Sequence, residues 1–102
     1  MANASRKETL SHRERVLRAI EHKSVDRMPI DLGCHYSTGI SAFAYYNLRK
    51  HLGLSADSVE VIDPGQFLAR VDYDVMERFH LDAIVLHPGY PKTRRWSPRG
   101  YY

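Results

Sequence analysis

The stretch Asp26-Arg-Met-Pro-Ile-Asp-Leu-Gly33 decides the fold that we predict for this chain. Its first two residues suit a turn, and Pro29, which lacks an N–H, suits the first position of a strand. Ile30 and Leu32 make the strand apolar, and Gly33 lets the chain leave it in a conformation that other residues resist. The stretch therefore predicts a short buried strand followed by a glycine exit.

A helix is predicted on each side of this strand. Ser11-His-Arg-Glu14 is a capping box, in which hydroxyl and carboxylate each satisfy a backbone N–H, and this helix is expected to run to about His22. A second helix is expected from Ile40 to about Leu52, where Gly53 ends it. Apolar residues at helical spacing predict the buried faces. These residues are Val16, Leu17 and Ile20 in the first helix and Ile40, Phe43, Ala44, Leu48 and Leu52 in the second.

Two more strands and one more helical stretch follow. Residues 59–62 form a second strand candidate, and Asp63-Pro-Gly-Gln66 has the pattern of a helix start, with a possible break near Val71-Asp72. Beyond that break, Val75, Met76 and Phe79 are expected to face inward. Residues 81–86 are an apolar run typical of a strand buried on both faces.

Alternation of strands and helices predicts an α/β fold with parallel strands and right-handed crossovers. We interpret it as the N-terminal part of a TIM (β/α)8 barrel. It is incomplete in this chain, because such a barrel needs roughly 250 residues and eight strands. Residues 1–10 are expected to be a flexible N-terminus and residues 11–102 the barrel segment.

Composition excludes several classes of protein. The chain is 43% hydrophobic and 26% charged, which is ordinary for a globular protein and argues against disorder. It has no apolar run near the roughly 18 residues of a membrane span, and its N-terminus lacks the apolar segment of a secretory signal. Cys34 is the single cysteine. We therefore expect no membrane partner and a cytoplasmic location, where thiols stay reduced.

The loop that follows the first strand holds the best-placed polar groups, because parallel α/β folds gather their sites at the carboxyl ends of strands. Asp31 and His35 are candidate catalytic residues, and Tyr36 and Thr38 are candidate substrate contacts. His87 follows the third strand and is a further candidate. The alternatives are that Asp31 only caps the loop and that His87 only anchors its own loop. No metal site is predicted, because His35 has no ligand partners nearby in the sequence.

The C-terminal residues suggest a different function. The chain has a net charge of +3, and basic and aromatic residues interleave from Lys92 to Tyr102. Such a tail can bind phosphate and stack on bases, so a small nucleic-acid-binding module is the alternative to an enzyme segment. Nucleic acid is the less favoured partner, because charge elsewhere is balanced and no nucleic-acid motif is present.

Four stretches of the chain resemble a known family. They are Ser11–His22, Asp26–Gly33, Thr38–Leu54 and Val61–Asp72, and the likeness covers about residues 11–90. They resemble the N-terminal part of the uroporphyrinogen decarboxylase-like superfamily. The resemblance implies a (β/α)8 barrel and one of two activities. One is decarboxylation of uroporphyrinogen without metal or organic cofactor; the other is zinc-dependent methyl transfer with corrinoid proteins and thiol acceptors.

The sequence departs from the decarboxylases of that family. Their Met-Arg-Gln-Ala-Gly-Arg motif is absent, and no arginine stands between Asp31 and Leu48 to clamp substrate carboxylates. Within the family we therefore favour methyl transfer, with a small-molecule substrate and a corrinoid protein as partners. The family's zinc ligands come from a later His/Cys set, so we expect no cofactor in this segment and zinc only in a longer protein. The segment by itself is expected to be inactive.

Overall fold

The computed structural model of the chain describes residues 7–85 and 94–101. The predicted flexible residues 1–6, the candidate His87 and the tail residue Lys92 lie outside this part. The regular elements are the helices α1 (His12–Ile20), α2 (Ala42–His51) and α3 (Tyr73–Phe79), a 3₁₀ turn at Tyr36–Thr38, and the strands β1 (Val59–Asp63), β2 (Leu68–Ala69), β3 (Arg94–Ser97) and β4 (Gly100–Tyr101). Among the described residues, no helix has both the length and the apolar character needed to cross a membrane.

The sheet is antiparallel throughout, with strand order β2-β1-β3-β4. In its centre, Val61 of β1 pairs with Ala69 of β2 on one side and with Arg94 of β3 on the other. The prediction of a TIM barrel segment is therefore wrong, and the fold is a small mixed α/β arrangement. Only residues 64–67 join β1 to β2, whereas a parallel crossover needs a dozen or more residues.

The predicted helix start at Asp63 is a hairpin turn instead. The Asp63 carboxylate accepts hydrogen bonds from the Gly65 N–H and from the Gln66 side-chain amide, both at 3.1 Å. An aspartate that can cap a helix can equally close a turn by bonding its own backbone two residues on. Phe67 leaves the turn with φ at 56° and leads directly into β2.

Neither of the two other predicted strands is regular. The segments 29–32 and 81–85 are joined by one backbone hydrogen bond, from the Asp82 N–H to the Ile30 carbonyl at 2.8 Å. The Ile30 N–H bonds to the Asp82 carboxylate rather than to a backbone carbonyl, at 2.9 Å. A carboxylate thus occupies the position where a strand ladder would need a main-chain acceptor, and no ladder forms.

The apolar core lies between α2, the sheet and α3. Its fully buried members include Tyr45, Val59, Val61 and Val75. The face predicted for α2 is partly wrong, because Phe43 is 58% exposed while Tyr45 points inward. For α3 the predicted inner side is confirmed, since Val75 is buried and Met76 and Phe79 pack against the core.

Helix α1 is the exception to this packing. Its predicted capping box is present, with Ser11 and Glu14 each accepting an N–H of the other residue at 3.1 Å. The predicted buried stripe is wrong, because Leu17 is 45% and Ile20 68% exposed. The one buried residue of α1 is Arg15, which is 1% exposed. An arginine, rather than an apolar face, attaches this helix to the protein.

Candidate functional site

Several charged side chains surround Asp82, whose own side chain is 1% exposed. Its carboxylate accepts hydrogen bonds from Arg15 at 2.6 Å and Arg27 at 2.7 Å, besides the bond from the Ile30 N–H. His12 Nδ1 lies 2.7 Å from the same carboxylate. With Asp26, described next, Asp82, Arg15, Arg27 and His12 form what we call the Asp82 cluster.

Asp26 is the second carboxylate of the Asp82 cluster. Two nitrogens of Arg15 donate to its two oxygens, at 2.7 and 2.9 Å, in the bidentate geometry that suits a guanidinium. The backbone N–H groups of Thr9 and Leu10 donate to the same carboxylate at 2.8 and 3.0 Å. The cluster thereby joins α1 and the residues before it to the turn at Asp26 and to the segment at Asp82.

The two carboxylates of the Asp82 cluster both have lowered pKa values. Hydrogen bonds from Arg15 hold the pKa of Asp26 well below its usual range. Burial works to raise the pKa of Asp82, but hydrogen bonds from Arg27 and His12 outweigh it and leave that pKa low as well. Both carboxylates are ionised and fully bonded at neutral pH. A general acid or base needs a pKa near the working pH, so these two carboxylates are suited to holding structure rather than to acid–base catalysis.

A groove lies beside the Asp82 cluster. Glu8, His12, Tyr73, Met76 and Ile84 are among the residues that line it, and its volume is 490 Å³. Tyr73 and Ile84 are 75% and 51% exposed, so the groove presents apolar surface to solvent. The rim is polar, because Glu8 pairs with Arg27 and lies 3.1 Å from His80 Nδ1.

A second charged group of residues, the Arg49 cluster, lies across α2 and α3. Arg49 bonds both oxygens of Asp74 at 2.8 Å, and it reaches Asp72 at 3.1 Å. The buried Tyr45 hydroxyl donates to the Asp72 carboxylate at 2.7 Å and accepts from the Asp72 N–H at 2.8 Å. Burial raises the pKa of Tyr45 to about 12. The hydroxyl is therefore a neutral hydrogen-bonding group that ties the two helices together.

The predicted site loop has an internal hydrogen-bond network of its own. Thr38 Oγ1 accepts from the His35 N–H at 3.1 Å and donates to the His35 carbonyl at 3.0 Å. His35 Nδ1 accepts from the Ser37 N–H at 3.2 Å, and Tyr36 is 40% exposed. The structure thus brings His35, Tyr36 and Thr38 together in one exposed turn. Their proposed roles in catalysis and substrate binding stay predictions.

Asp31 lies at the start of the same loop. Its carboxylate accepts from the Cys34 N–H at 3.0 Å, which is the capping geometry that the sequence left open as its alternative role. Burial raises the pKa of the Cys34 thiol, so this cysteine is not an activated nucleophile. Within residues 7–85 and 94–101, no three His, Cys, Asp or Glu side chains are grouped closely enough to hold a metal ion.

The described residues of the C-terminal tail are partly engaged within the protein. Trp96 lies in edge contact with Phe43 and Phe67, with ring centroids 4.9 and 5.3 Å apart. Arg95 bonds the hydroxyl and the carbonyl of Ser58 at 2.6 and 2.8 Å. A tail that stacks on bases would need these groups free, so the structure leaves less of it for nucleic acid than the sequence suggested.

The sequence patterns did not identify the residues around which the charges are arranged. Asp82 lies within the apolar run at residues 81–86, and Arg15 lies outside the apolar stripe predicted for the first helix. The available signal was the position of Asp82, a charge inside an otherwise apolar run. A charge there needs a partner when it is buried, and the chain supplies several arginines.

Comparisons with known proteins add no relative: no family model, no curated protein and no solved structure matches this chain.

Proposed function

We propose, on the resemblance of its sequence alone, that this chain is the N-terminal part of a cytoplasmic enzyme of the uroporphyrinogen decarboxylase-like superfamily, and that its described residues act as a scaffold for a site formed elsewhere. Its antiparallel sheet departs from the parallel barrel that the resemblance implies. The observation that carries the scaffold role is the origin of the Asp82 cluster. Arg15 comes from the first stretch that resembles the family, and Asp26 and Arg27 come from the second. The resembling residues therefore meet in one buried cluster, in which Arg15 docks α1 and Arg27 holds Asp82.

The state of the buried arginines favours methyl transfer over porphyrin chemistry. A tetracarboxylate such as uroporphyrinogen needs free guanidinium groups to hold it. Arg15, Arg27 and Arg49 are each saturated by carboxylates of this chain, and the loop at residues 33–39 carries no arginine. We therefore propose a small thiol as the methyl acceptor and a corrinoid protein as the partner. Zinc does not fit the described residues, so no step is assigned to it here.

A chimeric enzyme tests the scaffold proposal. The full chain replaces the matching N-terminal segment of a corrinoid-dependent methyltransferase of that superfamily, and methyl transfer to a thiol is measured. A second chimera places the chain in a uroporphyrinogen decarboxylase of the superfamily, and a third carries Asp82→Asn in the methyltransferase. We expect activity in the first chimera only.

Circular dichroism and size-exclusion chromatography show whether each chimera folds. A folded methyltransferase chimera without activity contradicts the proposal. Equal activity in the decarboxylase chimera contradicts the preference for methyl transfer. Activity that is unchanged by Asp82→Asn contradicts the scaffold role of the Asp82 cluster.

A further inference from the structure

We infer that α1 is a latch, which docks on the protein through charge and can leave it while the apolar core stays folded. Its release removes His12 from the lining of the groove to which Tyr73, Met76 and Ile84 also belong, and so widens that groove. This conformational property stands independently of the enzyme family proposed above.

The first argument is the weak apolar attachment of α1. Within residues 7–85 and 94–101, no α1 residue is part of the hydrophobic core or of the side chains packed against it, and Leu17 and Ile20 are largely exposed. Most helices in proteins owe their stability to such packing, and an isolated helix as short as the nine residues of α1 is marginal in water. Once undocked, α1 therefore unfolds locally, which makes its release visible in hydrogen exchange.

The second argument is that release leaves few groups stranded. Without Arg15, the buried Asp82 carboxylate still accepts from Arg27 and from the Ile30 N–H. Asp26 keeps the bond from the Arg27 N–H at 2.9 Å. A buried charge that lost all its partners would resist opening strongly, whereas Asp82 keeps two of its partners and Asp26 keeps one.

The third argument is the connection at the end of α1. Residues 21–24 are exposed, and His22 has φ at 60°, a left-handed conformation that ends the helix. Polar contacts across this connection start from Arg18, whose Nε donates to the Ser24 carbonyl at 2.7 Å and whose own carbonyl accepts from the Lys23 N–H at 2.8 Å. A segment that is exposed and outside the core can change its backbone angles without disturbing the sheet.

Hydrogen exchange on the full chain tests the latch. Arg15→Met removes the docking charge and keeps an apolar stem, and Arg18→Met is the matched control on the same helix. In Arg15→Met we expect the α1 amides to exchange at least about tenfold faster than in the parent chain, while the amides of β1 and α2 change by less than about twofold. In Arg18→Met we expect both sets to change by less than about threefold.

Two results overturn the inference. In one, the amides of α1 and β1 lose protection together in Arg15→Met; in the other, α1 stays as protected as in the parent chain. The parent chain gives an answer that does not depend on a variant folding. At low urea its α1 amides should exchange through openings that are insensitive to urea, whereas a common urea dependence for α1 and β1 would show that they unfold as one unit.

Discussion

Two regions of this protein are stabilised by different forces. In residues 7–31, which we call the charged region, no residue belongs to the hydrophobic core. The apolar region, residues 32–85 and 94–101, contains the core members that the structure describes, from Ala42 to Leu81, and the side chains packed against them, such as Leu32 and Trp96. The two regions meet chiefly at Asp82, which lies in the apolar region and binds Arg15 and Arg27 of the charged one.

Because one region is held by charge and the other by apolar packing, the two should respond differently to single substitutions. Apolar burial is non-directional and grows with area, at about 25 cal/mol per Å², so the loss of one contact is shared among many neighbours. A buried ionic cluster has few partners, and removing one leaves another charge buried with fewer bonds. The charged region should therefore be lost through single substitutions that the apolar region tolerates.

A second contrast lies between the two clusters themselves. Asp26 and Asp82 have side chains that are 6% and 1% exposed. In the Arg49 cluster, Asp72 and Asp74 are 49% and 42% exposed. Solvent screens the second pair, so its contribution to stability should be smaller although its distances are similar.

The largest effect is expected at Asp82. Asp82→Asn keeps the shape of the side chain and removes the charge that Arg15 and Arg27 share, which should weaken docking of the charged region by about 3–5 kcal/mol. Hydrogen exchange of the α1 amides measures this loss, and Asp31→Asn, at an exposed loop carboxylate, is the control. A change below about 1 kcal/mol would mean that Asp82 does not hold the two regions together.

A smaller effect is expected inside the apolar region, at Tyr45. Tyr45→Phe removes the hydroxyl that bonds both the carboxylate and the N–H of Asp72, and it should cost about 1–3 kcal/mol of unfolding free energy. Urea unfolding followed by Trp96 fluorescence measures it. The control is Tyr46→Phe on the same helix, expected within about 0.5 kcal/mol of the parent. Equal losses in the two variants would show that the hydroxyl of Tyr45 has no special role.

The smallest effect is expected at Asp74. Asp74→Asn removes one partner of Arg49, but solvent reaches this carboxylate, so the cost should be about 1 kcal/mol or less. The same urea experiment measures it, and the Asp82→Asn result gives the scale. If Asp74→Asn destabilised the protein as much as Asp82→Asn, exposure would not be what separates the two clusters.

Local signals in the sequence predicted much of the secondary structure. The capping box at Ser11, the glycine end of α2 at Gly53, the strand at residues 59–62 and the inner side of α3 are confirmed. The direction of the sheet could not be predicted in the same way. It depends on pairs such as Val59 with Trp96, which lie far apart in the chain and carry no local pattern.

Most of the candidate site escaped prediction for a related reason. The buried face of α2 turns toward Tyr45 because a hydroxyl can be buried when it finds a partner, and that partner, Asp72, lies beyond the hairpin. Asp82 and Arg15 likewise meet across 67 residues. Periodicity predicts which residues are apolar on one face of a helix, but it does not show which buried charges will be paired.

Acid titration tests the separation of the two regions most directly. The pKa values of Asp26 and Asp82 lie below the roughly 3.9 of an unfolded aspartate. Their contribution to stability is therefore fully present above about pH 4 and is lost as the pH falls toward the folded-state values. Neutralising Asp26 and Asp82 leaves an excess of positive charge in the cluster. The other titratable or charged groups around them are Arg15, Arg27, His12, His80 and Glu8.

The apolar region has less to lose in acid. The pKa of Asp74 is also lowered, by its hydrogen bonds from Arg49, but that carboxylate is half exposed and its contribution is small. The measurement follows the exchange of the α1 amides and the fluorescence of Trp96 in the same samples between pH 5 and about pH 2. We predict that α1 loses its protection at a higher pH than the one at which Trp96 reports unfolding. Coincident transitions, or loss of the Trp96 signal first, would contradict the claim that charge holds one region and apolar packing the other.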